Sequence, residues 1–563
     1  MTGKSTSFEV QVLQDKRWVV AEVSGDEANA VAFADNLLQK GNHSAVRVVR
    51  DFRRVDGLHS ETVIHEKTAD DRKKGDLTVA AVSDAPVCSQ AGDFLALPAR
   101  LVIGRVFRRY LDEFVLTPTE LLHSAREMKR LADKDRLLFS AVESISTVQA
   151  RNTGEDGKAR RDFLHRSWDE AMARARKAEP DKALPAWTTL DGLVKAAGDG
   201  SDRDYRCRVL MTQRLVEART WGAKLDLALA WATEDEAAPQ MTLVDGVVAD
   251  LLMSAQVIQD LLGFQANLGT ALCHMCDLAE GKGEAAKFAP GAFAEINRLM
   301  AGRRLPQVRD VLLSRVTREL RGANPLSRNE PAQEFEMFLQ LLNRLVTYDG
   351  VVGGAVVAEA VAQRHMRLQN VGGSAGHAQA VGGVAKLLGD GCRITLYLLA
   401  LAESSLGPAL GTAPLEALTA LAGAASSING WVPVRLSPRD RMAALAACNR
   451  AITVSTVLPD LIRTDLATLT DMVMVRYLDD EGVIEKIDKP DDPLALRAIR
   501  LVKFCGSGVL IPGQSLDRAR RRVIDHLRQP QFEEKFMASV ADPAQAERQL
   551  REFHRLLVDS GFR

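Results

Sequence analysis

A change of hydrophobic period near residue 94 constrains this chain more than any other feature. Before it the chain holds short segments whose apolar side chains recur every second residue, and beyond Phe94 nearly everything reads with the period of three or four that a helix gives. The 563 residues must therefore combine a small sheet with a large helical body. The expected class is mainly α, with a small N-terminal α/β (ββαββ) module followed by a multi-helix body built as bundles or an irregular array.

In the first segment Phe8, Val10 and Val12 alternate with polar partners, and after a Gln14-Asp15-Lys16 turn, Trp18 to Val23 forms a second strand. Ser24 or Asp26 can cap a helix running to Lys40, with Val31, Ala34, Leu37 and Leu38 on one face and Gly41 just past its end. Ala45 to Val49 and Glu61 to His65 supply two more strands, and the helix covers one face of the resulting antiparallel sheet. From Glu66 to about Asp93 the pattern dissolves into Asp, Lys, Gly, Ser and Pro, the composition of a linker. The expected division is a module over 1–67, a linker over 68–94, a helical domain over 95–369 and a second helical domain over 370–563.

Within the helical part, Thr117-Pro118-Thr119-Glu120 is a capping box with proline at the first helical position. It predicts one amphipathic helix whose stripe holds Leu121, Leu122, Ala125, Met128 and Ala132. Similar punctuation stands at Ser437-Pro438 and Asp542-Pro543. Polar or glycine-rich breaks recur at 152–158, 197–204, 280–284 and 370–376, but no motif returns at a fixed interval. Two strongly apolar windows, Leu243 to Leu272 and Ile394 to Ile428, are expected centres of packed cores.

Charge disfavours nucleic acid as a partner. Lys and Arg number 73 against 74 Asp and Glu, so nothing draws the whole chain to nucleic acid or anionic lipid. Seven scattered cysteines are an odd count, unlike a disulfide framework, and suit a reducing cytoplasm. The polar start, Met1 to Ser7, lacks the charged and apolar regions of a leader. The apolar run Ile394 to Ala402 ends at Glu403, about half the ~20 residues a membrane span needs. Heavy use of Ala, Arg, Leu and Val has the style of a GC-rich bacterial genome.

Several local patterns could carry chemistry. Gly372-Gly373-Ser374-Ala375-Gly376 has the spacing of a nucleophile elbow, but the preceding residues look helical where an elbow needs a buried strand. Those glycines also lack the Gly-Lys-Ser/Thr ending of a phosphate loop. Cys273 and Cys276 have a metal-ligand spacing without a second pair, so they read as packing on an apolar helix, and no metal or cofactor is expected. Ser515, Arg518, Arg520, Arg521 and Arg522 open a helix and could hold an anion. From Gln514 to Arg563, ten bases against eight acids leave only +2, and ion pairing with the acidic run Asp479 to Asp492 competes with that reading. The closing helix, with Leu550, Phe553 and Leu557 on one face, either caps the body internally or meets a second copy in a homo-oligomer.

The expectation is a non-enzymatic cytoplasmic scaffold or adaptor, binding protein partners of unspecified identity. The competing readings are an enzyme with a site assembled between helices and an anion- or nucleotide-binding regulatory protein.

Overall fold

The computed structural model of the chain describes residues 5–14, 17–39, 43, 45–53, 59–68, 78–134, 136–179, 187–234, 238–284, 291–328, 331–370, 373–540 and 542–562. The fold is mainly helical, with a four-stranded antiparallel sheet at its N-terminal end. The chain divides into two compact units, Met1–Ser314 and Arg315–Arg563.

The N-terminal module has the expected order: β1 (Ser5–Gln14), β2 (Arg17–Ser24), α1 (Glu27–Gln39), β3 (Ala45–Arg53) and β4 (His59–Thr68). The sheet order is β2-β1-β3-β4, so each half is a hairpin and α1 makes the crossover between them. Strand alternation sets the faces: Phe8, Val10, Val12, Val46 and Val48 pack against Ala30, Ala34 and Leu38 of α1. Of the two cap candidates Asp26 accepts the Asn29 N–H at 2.8 Å, while Ser24 Oγ accepts that of Asp26 at 3.1 Å. Lys40, Gly41, Asp15 and Lys16, which entered the sequence expectations, lie outside the described residues.

The latter part of the expected linker is packed rather than free, and 69–77 lie outside the described residues. Residues 78–90 have neither helix nor strand, yet Ala85, Cys88 and Phe94 are buried with Val102, Phe107 and Trp168. The Gln149 amide donates to the Pro86 carbonyl and the Arg160 guanidinium to that of Cys88. The apolar residues here follow no helical or strand period, so periodicity alone shows coil and misses the burial.

The capping box after Leu116 forms, with the Glu120 N–H donating to Thr117 Oγ1 at 3.1 Å and the Thr117 N–H to Glu120 Oε2 at 2.8 Å. The expected single helix is two, Pro118–Leu122 and Ala125–Ala132, because Ser124 caps the second. Ala132 is consequently exposed, while Leu121, Leu122, Ala125, Met128 and Leu131 are buried.

Both apolar windows seed cores. Met241–Leu252 is buried along nearly its whole length and meets Ala255–Leu262 at a 92° bend. Gly391–Ala402 is the central helix of the second unit, packed by Gly354–Leu368, Ala413–Ala424 and Pro438–Val454. No single helix among the described residues is long and apolar enough to cross a membrane. A short hairpin, Val346–Thr347 with Gly350–Val351, interrupts the helices where the sequence suggested helix alone.

Candidate functional site

Buried polar side chains in the first unit gather where helices Leu97–Val106, Pro118–Leu122, Arg203–Glu217 and Met241–Leu252 pack together. Most of them close helix ends. Asp250 takes the Arg100 Nε–H at 2.9 Å on one oxygen and the Thr119 N–H at 2.8 Å on the other. Arg100 also donates to the Leu95 carbonyl at 3.0 Å and to Gln307 Oε1 at 2.9 Å. Asp245 accepts the N–H groups of Gln307 and Val308 at 2.8 and 3.1 Å, at the start of helix Pro306–Arg321. Burial pushes the Asp245 carboxyl up to about 6 despite those bonds.

A second buried pair lies beside the capping box. Lys224 Nζ donates to Glu120 Oε1 and to the Val115 carbonyl, each at 2.5 Å. Val115 holds φ 51°, a left-handed conformation costly for a β-branched residue, and in it its carbonyl receives the buried ammonium. Burial raises the Glu120 carboxyl, and Lys224 works against that rise.

One stripe of this region is polar without being paired. Tyr205, Arg208 and Thr212 stand three and four residues apart on helix Arg203–Glu217, so they share a face. The Tyr205 hydroxyl and Thr212 Oγ1 are buried and have no hydrogen-bond partner. Among the described residues no hydrogen bond or close ion pair ends on the half-buried Arg208. Burial, with Arg100 adding to it, disfavours its charge. The His123 ring packs on Tyr205 at 4.7 Å; its Nδ1 faces the Thr119 carbonyl at 2.8 Å and its Nε2 is buried without a partner. Burial drives the His123 pKa down to about 3, and Arg208, Arg100 and Arg174 push the same way.

In the second unit the arginines singled out by the sequence are dispersed among internal partners. The helix Gln514–Leu527 receives an internal anion: the Asp471 carboxylate accepts the Gln514 N–H at 2.6 Å and the Ser515 N–H at 3.1 Å. Ser515 is fully buried, and its hydroxyl donates to the Ile511 carbonyl at 3.0 Å. Arg518 pairs with Asp479 at 2.7 Å and Arg522 with Asp488, both in the acidic run. Arg520 reaches the Ser560 carbonyl at 3.4 Å and lies over the Phe562 ring, while Arg521 is exposed. Asp488 also holds Arg497 and His526, at 2.7 and 2.8 Å. Burial works to raise its carboxyl, but the bonds from Arg497, His526 and Arg522 outweigh it and hold the pKa below the usual carboxylate range.

The closing helix, Pro543–Asp559, sends Phe553 into an aromatic cluster with Phe532 and Phe536, ring centroids 5.9 and 5.1 Å away. Leu550 and Leu557 are half-buried. Between this helix and Leu494–Gly506 runs a groove of about 560 Å³, lined by Leu496, Ile499 and Lys503 on one side and by Val540, Glu552 and Leu556 among others on the other. A smaller cavity of about 50 Å³ in the first unit, bordered by Phe94, Ile103, Leu138 and Trp168, has an apolar lining surface.

Ser374 lies one residue into helix Gly373–Leu388, and Gly372 lies outside the described residues. Cys273 and Cys276 are buried on helix Leu268–Ala279, and no group of three or more metal-ligating residues exists among the described residues. No family model, curated protein or solved structure matches this chain.

Proposed function

We propose that this chain is a non-enzymatic cytoplasmic interaction protein, and that it assembles with a second copy of itself through the groove of its second unit. The observation supporting this reading is the make-up of the groove. Leu496, 38% exposed, stands with the half-buried Ile499, Val540 and Leu556 along an open apolar channel. Water against such a strip is unfavourable, and another apolar surface relieves it. Lys503 and Glu552, both exposed, stand on the two walls. A two-fold contact buries the same patch on both copies, so a wall carrying a base can face a wall carrying an acid. Electrical neutrality and self-complementarity favour a second copy over a strongly charged partner.

The test is the mass of the full chain by light scattering across a concentration series, with Ile499→Glu and Leu556→Glu made separately. The expected result is a wild-type dimer that each folded variant converts to monomer. A wild type that stays monomeric at every concentration removes self-assembly, and a dimer surviving both folded variants removes this groove from the contact.

A further inference from the structure

Buried polar atoms in native proteins nearly always have partners, so a cluster of orphans marks a place where something else belongs. Three such atoms belong to this region of the first unit, the Tyr205 hydroxyl, Thr212 Oγ1 and His123 Nε2; the half-buried Arg208 guanidinium, unpaired among the described residues, shares the face of helix Arg203–Glu217 with Tyr205 and Thr212, and the His123 ring packs on Tyr205. Of the two acids acting on Arg208, Asp250 is already engaged, because its two oxygens serve Arg100 and Thr119. Asp204, the other acid acting on Arg208, is exposed and lies 3.8 Å from Arg203.

The donor and acceptor inventory defines what fits. Arg208 supplies only N–H donors and a positive charge, which asks for an anion. The two hydroxyls can each give a hydrogen bond to an oxygen. His123 asks for the opposite. Its Nδ1 proton goes to the Thr119 carbonyl, 2.8 Å away, so Nε2 of the neutral ring is an acceptor and needs a donor from the ligand. A fully deprotonated anion cannot supply that donor, whereas an oxyanion carrying one acidic proton can.

We propose that Arg208, Tyr205, Thr212 and His123 form a binding site for a protonated tetrahedral oxyanion of the hydrogen-phosphate class, free or as a phosphate monoester. Its charged oxygens accept from Arg208 and the hydroxyls, and its P–OH donates to His123 Nε2. Arg208, half-buried where the other three groups are buried, is the solvent-facing end of the site. This site lies in the first unit and is independent of the self-association proposed for the second.

The experiment uses the full chain at about pH 5.5, where inorganic phosphate and most of a phosphate monoester still carry an acidic proton and sulfate does not. Inorganic phosphate, glycerol phosphate and sulfate are titrated by calorimetry, with the melting temperature followed in parallel. Wild type should bind one phosphate or phosphomonoester per chain and melt higher with it, and should bind sulfate about tenfold more weakly or worse. Arg208→Gln should lose about tenfold or more in affinity, and Tyr205→Phe several-fold, with the unliganded circular dichroism unchanged. Binding of inorganic phosphate alone identifies the free ion as the ligand, and binding of glycerol phosphate alone identifies the ester; either supports the site. If Arg208→Gln does not fold, Tyr205→Phe and the wild-type preference for phosphate over sulfate still decide. The proposal is overturned if neither phosphate species binds, as when water alone satisfies these atoms. Equal binding of sulfate, or folded variants that bind phosphate like wild type, overturns it as well.

Discussion

Asp245 makes the first unit less stable as it ionises, and the size of that effect follows from its surroundings. The side chain is fully buried, and its oxygens accept the backbone N–H groups of Gln307 and Val308 and a side-chain bond from Gln307. Burial lifts its pKa from an ordinary 3.8 to about 6. A folded-state pKa above the unfolded one means that the native state binds the proton more tightly. Its stabilising contribution is therefore complete below about pH 4 and is lost as pH rises through about 6. Roughly two pKa units correspond to about 3 kcal/mol. Asp245→Asn keeps the shape but leaves one helix N–H facing an amide NH₂, a pH-independent cost of about 1–3 kcal/mol. Urea unfolding of both proteins from about pH 4 to about pH 8, followed by tryptophan fluorescence, isolates the effect. Trp168, Trp187, Trp221 and Trp231 are all buried in the first unit and report on it. Taking wild type minus variant cancels the other titrating groups. The wild-type advantage should shrink by about 2–3 kcal/mol across that range, with half of the loss reached near about pH 5 and nearly all of it by about pH 6 to 7. A constant difference would refute the reasoning. A difference that grows with pH would show the helix N-terminus stabilising the carboxylate more than burial penalises it.

Three further outcomes are expected. Gly281, at φ +65°, has no room for a side chain, because an added Cβ would lie 2.2 Å from the Ala301 backbone nitrogen; Gly281→Ala should cost about 3 kcal/mol or more in urea unfolding. Asp488→Asn leaves Arg497, Arg522 and His526 without their shared carboxylate and should destabilise the second unit by about 3–5 kcal/mol at neutral pH. Since the folded-state pKa of Asp488 is depressed, the wild-type advantage should be present above about pH 4 and fade as pH falls further, as thermal melts at acid pH would show. Cys273→Ser combined with Cys276→Ser should leave metal content unchanged and cost only modest packing energy; stoichiometric zinc in the wild type that disappears in this variant would contradict that.

The parts of the fold legible in the sequence are those set by neighbours along the chain. Strand alternation at Phe8, Val10 and Val12, the box at Thr117 to Glu120 and the caps at Ser437 and Asp26 are local chemistry, and each formed where its residues stand. Ser124 shows the limit: an apolar stripe continues through it, so periodicity suggests one helix, while its hydroxyl starts a second. The polar cluster of the first unit was not legible, because Arg100, His123, Arg208 and Asp250 are single residues on separate helices with no motif among them. One trace did exist. Arg208 and Thr212 stand on a helix face otherwise filled by Val209, Met211 and Leu215, and a charge inside an apolar run invites a search for what neutralises it. At the second unit's arginines, local charge pattern suggested a site, but Asp471, more than forty residues earlier, already occupies the helix N-terminus.

The most direct test of an interaction protein that meets a second copy through its second unit is hydrogen–deuterium exchange of the full chain at low and high concentration. Amides of 494–506 and 543–559, the helices flanking the groove, should exchange more slowly as concentration rises, while those of the N-terminal sheet keep their rates. Exchange that is independent of concentration in both helices, or protection that appears on other surfaces instead, would contradict the proposed assembly.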